Sequence, residues 1–222
     1  MNITLSNSPS WVSSQHYRVC LAAVFLVTVP VFFQAPLVRI APVISLLLSV
    51  GILGIAQQLL QRTPTWGSLI WGFNLSWICG TIYWGWLRTE PFWHLPIEAM
   101  ALPWAIWACR RSLQHQIGAW FYLGSLAGTA ITDLYFWQIG VISHWRSLMQ
   151  PGIDYTHTSQ LLKSALIQVE DHPATLLTLA ITLVSIGLWG CCSGKIHRWA
   201  FAGAIFSTLV VDALFGWLAW QS

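Results

Sequence analysis

Three acidic residues interrupt long apolar stretches of the sequence, at Glu98, Asp133 and Asp212. A charged side chain at the centre of a bilayer costs about 2.5 to 3.5 kcal/mol on insertion scales, so acids inside a membrane are functional candidates. One protonated acid could donate a proton while an ionised partner stabilises positive charge in a substrate. We therefore predict that all three are catalytic residues. The alternative is structural, because a membrane Asp can also bond a Thr hydroxyl or a Trp N–H and join two helices.

Polar side chains near the three acids extend this candidate site. Each acid follows a polar residue by four positions: His94 before Glu98, Thr129 before Asp133, and Thr208 before Asp212. Residues four apart share a face of a helix. The three preceding side chains are therefore predicted to lie beside the acids and to bind substrate.

Tryptophan is unusually frequent, with 16 residues, and the third apolar segment contains Trp71, Trp77 and Trp84. Their spacing places the three indoles near one face of a helix. A flat aromatic wall of this kind suits an isoprenoid, a quinone or a pigment, so the three residues are predicted to bind substrate. Packing in the core is the alternative.

Motifs for several other chemistries are absent. The sequence has no H-E-x-x-H, G-x-S-x-G, P-loop or G-x-G-x-x-G, which argues against zinc proteases, hydrolases and nucleotide-driven enzymes. It also lacks an Asp-rich pair that would hold Mg²⁺ and a diphosphate. The His residues lie at or near the ends of apolar segments, so no facing pair is expected to bind haem. We predict neither a metal nor a cofactor.

The composition indicates a membrane protein. Of the 222 residues, 56% are hydrophobic and 8% are charged, and the mean hydropathy is +0.62. These values are atypical of soluble domains, so the lipid bilayer is the predicted solvent. The net charge of +3 is not concentrated in a basic stripe, which argues against nucleic-acid binding.

Seven apolar runs are long enough to cross a bilayer, which takes about 20 residues. Charged residues, Pro and polar clusters set their limits: 19–38, 40–60, 65–87, 91–109, 117–142, 174–192 and 199–220. Six spans is the fallback count, because residues 34–42 permit either a tight turn or a re-entrant stretch. The predicted fold is an all-α polytopic transmembrane helix bundle.

The spans are predicted to form one domain, residues 19–222, after a polar tail at 1–18. A longer connection at about 143–173 follows the fifth span. Apolar residues recur in it at helical spacing: Leu161, Leu162, Ala165, Leu166 and Val169. We predict a short amphipathic helix there, on the membrane surface or over the mouth of the bundle.

Basic residues are unevenly distributed between the two sides of a seven-span chain. The side of the N-terminus has six Lys and Arg and no acid, whereas the opposite side has four basic and four acidic residues. Cytoplasmic loops of membrane proteins are enriched in Lys and Arg. The N-terminus is therefore predicted to be cytoplasmic.

An internal repeat is visible when the sequence is shifted by 79 residues. The shift aligns five identical pairs: Trp120 with Trp199, Gly124 with Gly203, Thr129 with Thr208, Asp133 with Asp212, and Phe136 with Phe215. It predicts a parallel repeat of the helix hairpins formed by spans 4-5 and 6-7. At 1.5 Å per residue, both Asp residues lie about 20 Å beyond their Trp, in the outer half of the membrane. Glu98 is predicted at the same depth.

Two resemblances to known families are present. The Trp-rich helices and the stretch TDLYFW around Asp133 resemble an uncharacterised family of integral membrane proteins from cyanobacteria, which implies a plasma or thylakoid membrane and no established activity. Separately, the stretch GWLRTEPFWHLPIE, which ends at Glu98, resembles the P-[LI]-E-E motif of the membrane-type lycopene cyclase domain. In that domain, acids on helices serve a proton-initiated cyclisation of a carotenoid. The resemblance implies a catalytic role for Glu98 alone, since Ala99 occupies the position of the second acid.

Three functions are consistent with these features. We favour a membrane-embedded carboxylate site that binds or acts on an apolar lipid, such as an isoprenoid or a carotenoid. The alternatives are an assembly or scaffold protein that binds subunits of a photosynthetic membrane complex, and a small proton-coupled transporter. An enzyme or a transporter requires acids that converge on a cavity, whereas a scaffold allows them to point at separate helices. Whether the protein is an enzyme stays open at this point.

Overall fold

The computed structural model describes residues 14–150 and 155–221, and the regular elements in this part of the chain are helical. In chain order the α-helices are α1 (Ser14–Ile40), α2 (Pro42–Arg62), α3 (Pro64–Ile82), α4 (His94–Glu98), α5 (Leu102–Arg111), α6 (Gln116–Gln138), α7 (Ile142–Leu148), α8 (Tyr155–Glu170), α9 (Pro173–Cys191) and α10 (Ile196–Gln221). A π-helical turn, Tyr83–Leu87, continues α3. The prediction of an all-α fold is confirmed.

Four helices, α1, α2, α9 and α10, are long and apolar enough to cross a membrane. Large hydrophobic side chains are exposed on them, including Leu21, Phe33, Leu47 and Leu177. Extensive exposed apolar surface is rare on a soluble monomer and fits contact with lipid. The chain is therefore an integral membrane protein. The seven-span count and the internal repeat stay predictions.

A tight turn separates the first two helices. α1 continues through Pro30 and Pro36 to Ile40, and α2 begins at Pro42, so that Ala41 alone lies between them. Proline is tolerated in the first turn of a helix because the missing N–H would have no intrahelical partner there. Within residues 34–42 the structure thus has two helix ends separated by one residue, an arrangement that agrees with the tight turn.

The predicted fourth span, residues 91–109, is not one continuous helix. It divides into a 3₁₀ turn at Pro91–Trp93, α4, a second 3₁₀ turn at Ala99–Ala101, and α5. Proline explains the division, because each Pro lacks an N–H and its ring clashes with a preceding carbonyl. The π-helical turn, a form often found at functional sites, comes just before this region. We refer to residues 83–101 as the broken segment.

The predicted fifth span also ends early, since α6 stops at Gln138 and not at residue 142. Gly140 follows with φ of 80°, a left-handed conformation that glycine adopts without strain. α8 lies within the predicted connector. Its Gln168 Nε2 donates a hydrogen bond to Ile139 O at 2.7 Å, and Val169 packs against the core formed by α6, α9 and α10.

Glycine allows α6 to lie close to α3 on one side and to α10 on the other. A Cβ on Gly118 would collide with Ser68 O of α3, and a Cβ on Gly124 would collide with Phe201 O of α10. Small residues permit this close approach of membrane helices. α6 is therefore a central helix of the bundle, and it presents Asp133 between the broken segment and α10.

Candidate functional site

A hydrogen-bonded His–Asp pair joins the broken segment to α6. His94 Nδ1 lies 2.7 Å from Asp133 Oδ2, and the two side chains are 14% and 11% exposed. An imidazole N–H that donates to a carboxylate fixes the orientation of both groups. Because α4 begins at His94, the prolines that divide the predicted fourth span also determine where this imidazole lies.

Glu98 lies one turn after His94 in α4, so the two side chains share a face of the helix. Its carboxylate is close enough to His94 and Asp133 to interact with both electrostatically. The Tyr122 hydroxyl of α6 donates a hydrogen bond to the backbone carbonyl of Glu98. This bond fastens the end of α4 to α6.

Asp212 reaches the same region from α10. Thr132 Oγ1 of α6 donates a hydrogen bond to Asp212 Oδ2 at 3.1 Å, and Asp212 interacts electrostatically with Asp133. The structure therefore brings Glu98, Asp133 and Asp212 together, although they come from three different helices.

Thr129 and Thr208 do not reach the carboxylates. Thr208 Oγ1 lies against Gly128 at the crossing of α6 and α10. Within the described residues, neither Thr donates a hydrogen bond to Asp133 or Asp212. The hydroxyl that does so belongs to Thr132, which the sequence analysis missed. Adjacent residues of a helix point about 100° apart, so Thr132 faces α10 while Asp133 faces α4.

Aromatic rings enclose His94. The centroid of the Tyr83 ring lies 4.4 Å from that of His94, the Trp84 ring lies at 6.0 Å, and Trp145 of α7 is stacked at 6.2 Å. Tyr83 and Trp84 belong to the π-helical turn. Trp145 was not predicted as a site residue, because a Trp at the end of an apolar run is typical of the membrane interface.

The three Trp residues of the predicted aromatic wall lie in separate surroundings. Only Trp84 contacts the site. Trp77 Nε1 donates a hydrogen bond to Ser45 O of α2 at 3.0 Å, and Trp71 packs edge-on against His115, with 4.8 Å between ring centroids. His115 precedes α6, and burial lowers its pKa. The indoles of Trp71 and Trp77 thus contact residues other than the three acids.

An apolar groove of about 300 Å³ opens beside Asp133. It is lined by Pro91, Phe92, Leu95, Pro96, Asp133 and Trp137. The Phe92 and Trp137 rings lie 4.7 Å apart between centroids, and Phe92 is 64% exposed. The groove therefore opens on the outer surface of the bundle, and Asp133 is the one charged group in its lining.

Two buried polar atoms near the site, Tyr135 Oη and His144 Nδ1, lack a hydrogen-bond partner within the described part of the chain. An unsatisfied buried polar group costs about 1 to 3 kcal/mol, and such groups are few in native proteins.

Among residues 14–150 and 155–221, no group of three or more His, Cys, Asp or Glu side chains is arranged to hold a metal ion. No curated protein and no solved structure matches the chain. A family model described as "Protein of unknown function" (DUF3120) matches residues 23–220. That description agrees with the expected uncharacterised family and carries no link to cyanobacteria or to lycopene cyclases. Because the match covers most of its length, the chain belongs to the DUF3120 family.

Proposed function

We propose that this membrane protein is an acid catalyst for an apolar, isoprenoid-like lipid, with Asp133 as the proton donor. One observation carries the proposal: Asp133 lines the apolar groove and also bonds to His94. A carboxyl group in the wall of an apolar groove can reach a bound hydrocarbon. The imidazole holds that carboxyl in one orientation, as preorganised catalysis requires.

The reaction is protonation of a carbon–carbon double bond. The Asp133 O–H bond breaks, the π electron pair of the lipid forms a C–H bond, and the neighbouring carbon becomes cationic. An ionised Glu98 or Asp212 stabilises that cation, as does the face of Trp137. Loss of a proton from an adjacent carbon to the Asp133 carboxylate restores the acid. The net change is an isomerisation or a cyclisation, which needs no oxidant or reductant.

Lipid analysis of purified variants tests this proposal. The protein is isolated in mild detergent from its native membrane, and the lipids and pigments that accompany it are identified by chromatography, absorbance and mass spectrometry. Leu95→Trp fills the groove and should remove a stoichiometric lipid, whereas Leu177→Trp, on the exposed surface of α9, should retain it.

Asp133→Asn tests the chemistry separately from binding. It should retain the lipid as an isomer of the same mass that differs in chromatographic retention, whereas Asp171→Asn, at an exposed position, should resemble the wild type. A wild-type protein without a stoichiometric lipid would contradict the proposal. Membrane-complex subunits in place of a small molecule would instead support an assembly or scaffold role.

Proton-coupled transport is the second candidate, and the broken segment favours it. Transporters often build their binding sites from discontinuous helices near the middle of the membrane. In reconstituted vesicles with a pH-sensitive dye, a transporter would acidify the lumen when its substrate is supplied, and Asp133→Asn would abolish that signal. An acid catalyst would turn over its lipid without such a gradient.

We further propose seven spans with a cytoplasmic N-terminus, in a plasma or thylakoid membrane. The uneven distribution of Lys and Arg supports this orientation, since α2 ends at Arg62 and α5 ends at Arg110 and Arg111. In a variant without its native Cys residues, an impermeant thiol reagent applied outside cells, or in the lumen, should label Gln160→Cys and not Gln114→Cys. The reverse pattern would overturn the orientation.

A further inference from the structure

Gly80 lies buried near the end of α3, and polar atoms border the space beside it. The nearest atoms to the position of a Cβ at Gly80, apart from its chain neighbours and the α3 backbone, are Gln34 Nε2 at 3.5 Å, Gln34 Oε1 at 3.6 Å and Glu98 Oε1 at 3.6 Å. We call this space the Gly80 notch. It lies between α1, α3 and α4.

Helix packing does not require glycine at this position. At Gly72 and Gly118 a Cβ would collide with the backbone of the facing helix, whereas at Gly80 the contacts of 3.5 to 3.6 Å would be ordinary van der Waals contacts. Glycine inside a helix is destabilising relative to Ala, because its backbone loses more conformational freedom on folding. We therefore expect glycine at this position to serve a purpose other than close packing. The polar atoms around the notch indicate that this purpose is to leave space for a polar group.

Hydrogen bonds fix the orientation of the Gln34 amide. Gln34 Nε2 donates to Trp77 O at 2.8 Å and to Thr81 Oγ1 at 3.0 Å. Thr81 Oγ1 in turn lies 2.8 Å from Ser45 Oγ of α2. Because these bonds occupy both amide hydrogens, Gln34 presents only an acceptor, Oε1, to the notch.

Glu98 reaches the notch from the opposite side. Within the described residues its carboxylate receives no hydrogen bond. The other titratable groups that interact with it are His94, Asp133, Cys79, Tyr83 and Tyr122. Two acceptor groups, the Gln34 carbonyl and the Glu98 carboxylate, therefore face one small space, and a group between them must be able to donate to both.

We propose that the Gly80 notch binds one water molecule, which bridges Gln34 Oε1 and the Glu98 carboxyl group and lets Glu98 take up and release a proton. This water donates one hydrogen bond to Gln34 Oε1 whether Glu98 is ionised or protonated. It donates the other to an ionised Glu98, and accepts from a protonated Glu98, so both states are satisfied without rotation of the amide. Its role in proton supply rests on the proposed function, whereas the water site itself does not.

Infrared spectroscopy of the lipid-free protein tests the water site. A tightly held water gives an O–H stretching band that shifts when H₂¹⁶O is replaced by H₂¹⁸O, and a protonated Glu98 gives a carbonyl band that Glu98→Gln removes. Gly80→Ala should abolish the water band and move the Glu98 band to higher frequency. The matched control is Gly54→Ala in α2, where a Cβ meets nothing within 4 Å.

A second variant separates loss of water from changed packing. Gly80→Ser adds a hydroxyl that can donate to Gln34 Oε1 and accept from a protonated Glu98 in place of the water, so the Glu98 band should return toward its wild-type frequency. The proposal is overturned if the wild type shows no bound-water band, if Gly80→Ala leaves that band unchanged, or if Gly54→Ala has the same effect. It is also overturned if no Glu98 band appears at any pH at which the protein stays folded.

Lipid retention, measured on the same variants, distinguishes the two proposals. If no lipid binds and the water band depends on Gly80, the acid-catalyst proposal fails and the water site stands. If lipid binds, Asp133→Asn retains it as an isomer, and the band does not depend on Gly80, the water site fails and the catalyst proposal stands.

Discussion

Thr132 and Asp133 are neighbours in α6, yet they bond to different helices. Thr132 donates a hydrogen bond to Asp212 of α10, and Asp133 bonds to His94 of α4. Two consecutive residues thus connect the two sides of the site. A change in α10 can therefore alter the position of Asp133 in the groove through these two adjacent residues of α6.

Thr132→Val should lower the free energy of unfolding by about 1 to 3 kcal/mol, because Asp212 loses a hydrogen-bond donor in a buried setting. Thr129→Val is the matched control, since Thr129 bonds to neither Asp. The free energies of unfolding of both variants are measured by reversible unfolding in mixed micelles. Equal losses for the two variants would show that the Thr132 hydroxyl has no special role.

The His94–Asp133 pair should show strong coupling in a double-mutant cycle with His94→Gln and Asp133→Asn. We expect a coupling free energy of about 1 to 3 kcal/mol, because the pair is largely buried. The comparison is Arg146 with Glu90, a pair 3.2 Å apart whose side chains are 46% and 54% exposed. Exposed pairs contribute about 0.2 to 1 kcal/mol, so a His94–Asp133 coupling no larger than theirs would contradict this prediction.

Trp77 and Trp84 should differ in what their replacement affects. Trp77→Phe removes the indole N–H that donates to Ser45 O and should lower the free energy of unfolding by about 0.5 to 1.5 kcal/mol, with lipid retention unchanged. Trp84→Phe should weaken lipid retention with a smaller effect on stability, because Trp84 packs against His94. The free energy of unfolding and the retained lipid are measured on the same purified samples of each variant. Lipid loss in Trp77→Phe alone would contradict this expectation and support the predicted aromatic wall.

Thermal stability should fall in acid through His115. Burial lowers its pKa in the folded protein, so the folded state binds this proton more weakly than the unfolded state. The contribution of neutral His115 is thus complete above the ordinary His pKa and is lost as the pH falls toward the folded-state value. His115→Gln should flatten the pH profile of the melting temperature in that window. A profile unchanged by the substitution would assign the acid sensitivity to other groups.

Features that depend on a single length, such as the length of an apolar run or the rise of a helix, were the easiest to predict from the sequence. The length of the apolar runs identified candidate membrane spans, and α1, α2, α9 and α10 are long and apolar enough to cross a membrane. The acids were predicted at one membrane depth, which stays a prediction, and in the structure the adjacent residues Thr132 and Asp133 bond to Asp212 and to His94, one turn before Glu98. Both inferences rest on the length of the bilayer and on helix rise, which hold for any membrane helix.

Contacts between helices were harder to predict. The four-residue rule selected Thr129 as the partner of Asp133, but the hydroxyl that matters, Thr132, serves an acid on another helix. Trp145 resembled an ordinary interfacial residue, and only the return of α7 over the broken segment places it on His94. Three prolines were visible in the fourth span, but its length suggested a continuous helix. Local rules cannot supply such contacts, because they depend on how distant segments pack.

The groove has an exposed mouth between Phe92 and Trp137. Because of this position, the concentration that governs binding of a lipid there is its concentration in the membrane. A ligand that enters sideways from the bilayer never passes through water, so its occupancy depends on its mole fraction among the other lipids. Dilution of the protein in buffer would then leave occupancy unchanged, whereas dilution of the membrane with foreign lipid or detergent would reduce it. Two membranes with the same total amount of ligand but different lipid content would load this protein to different extents.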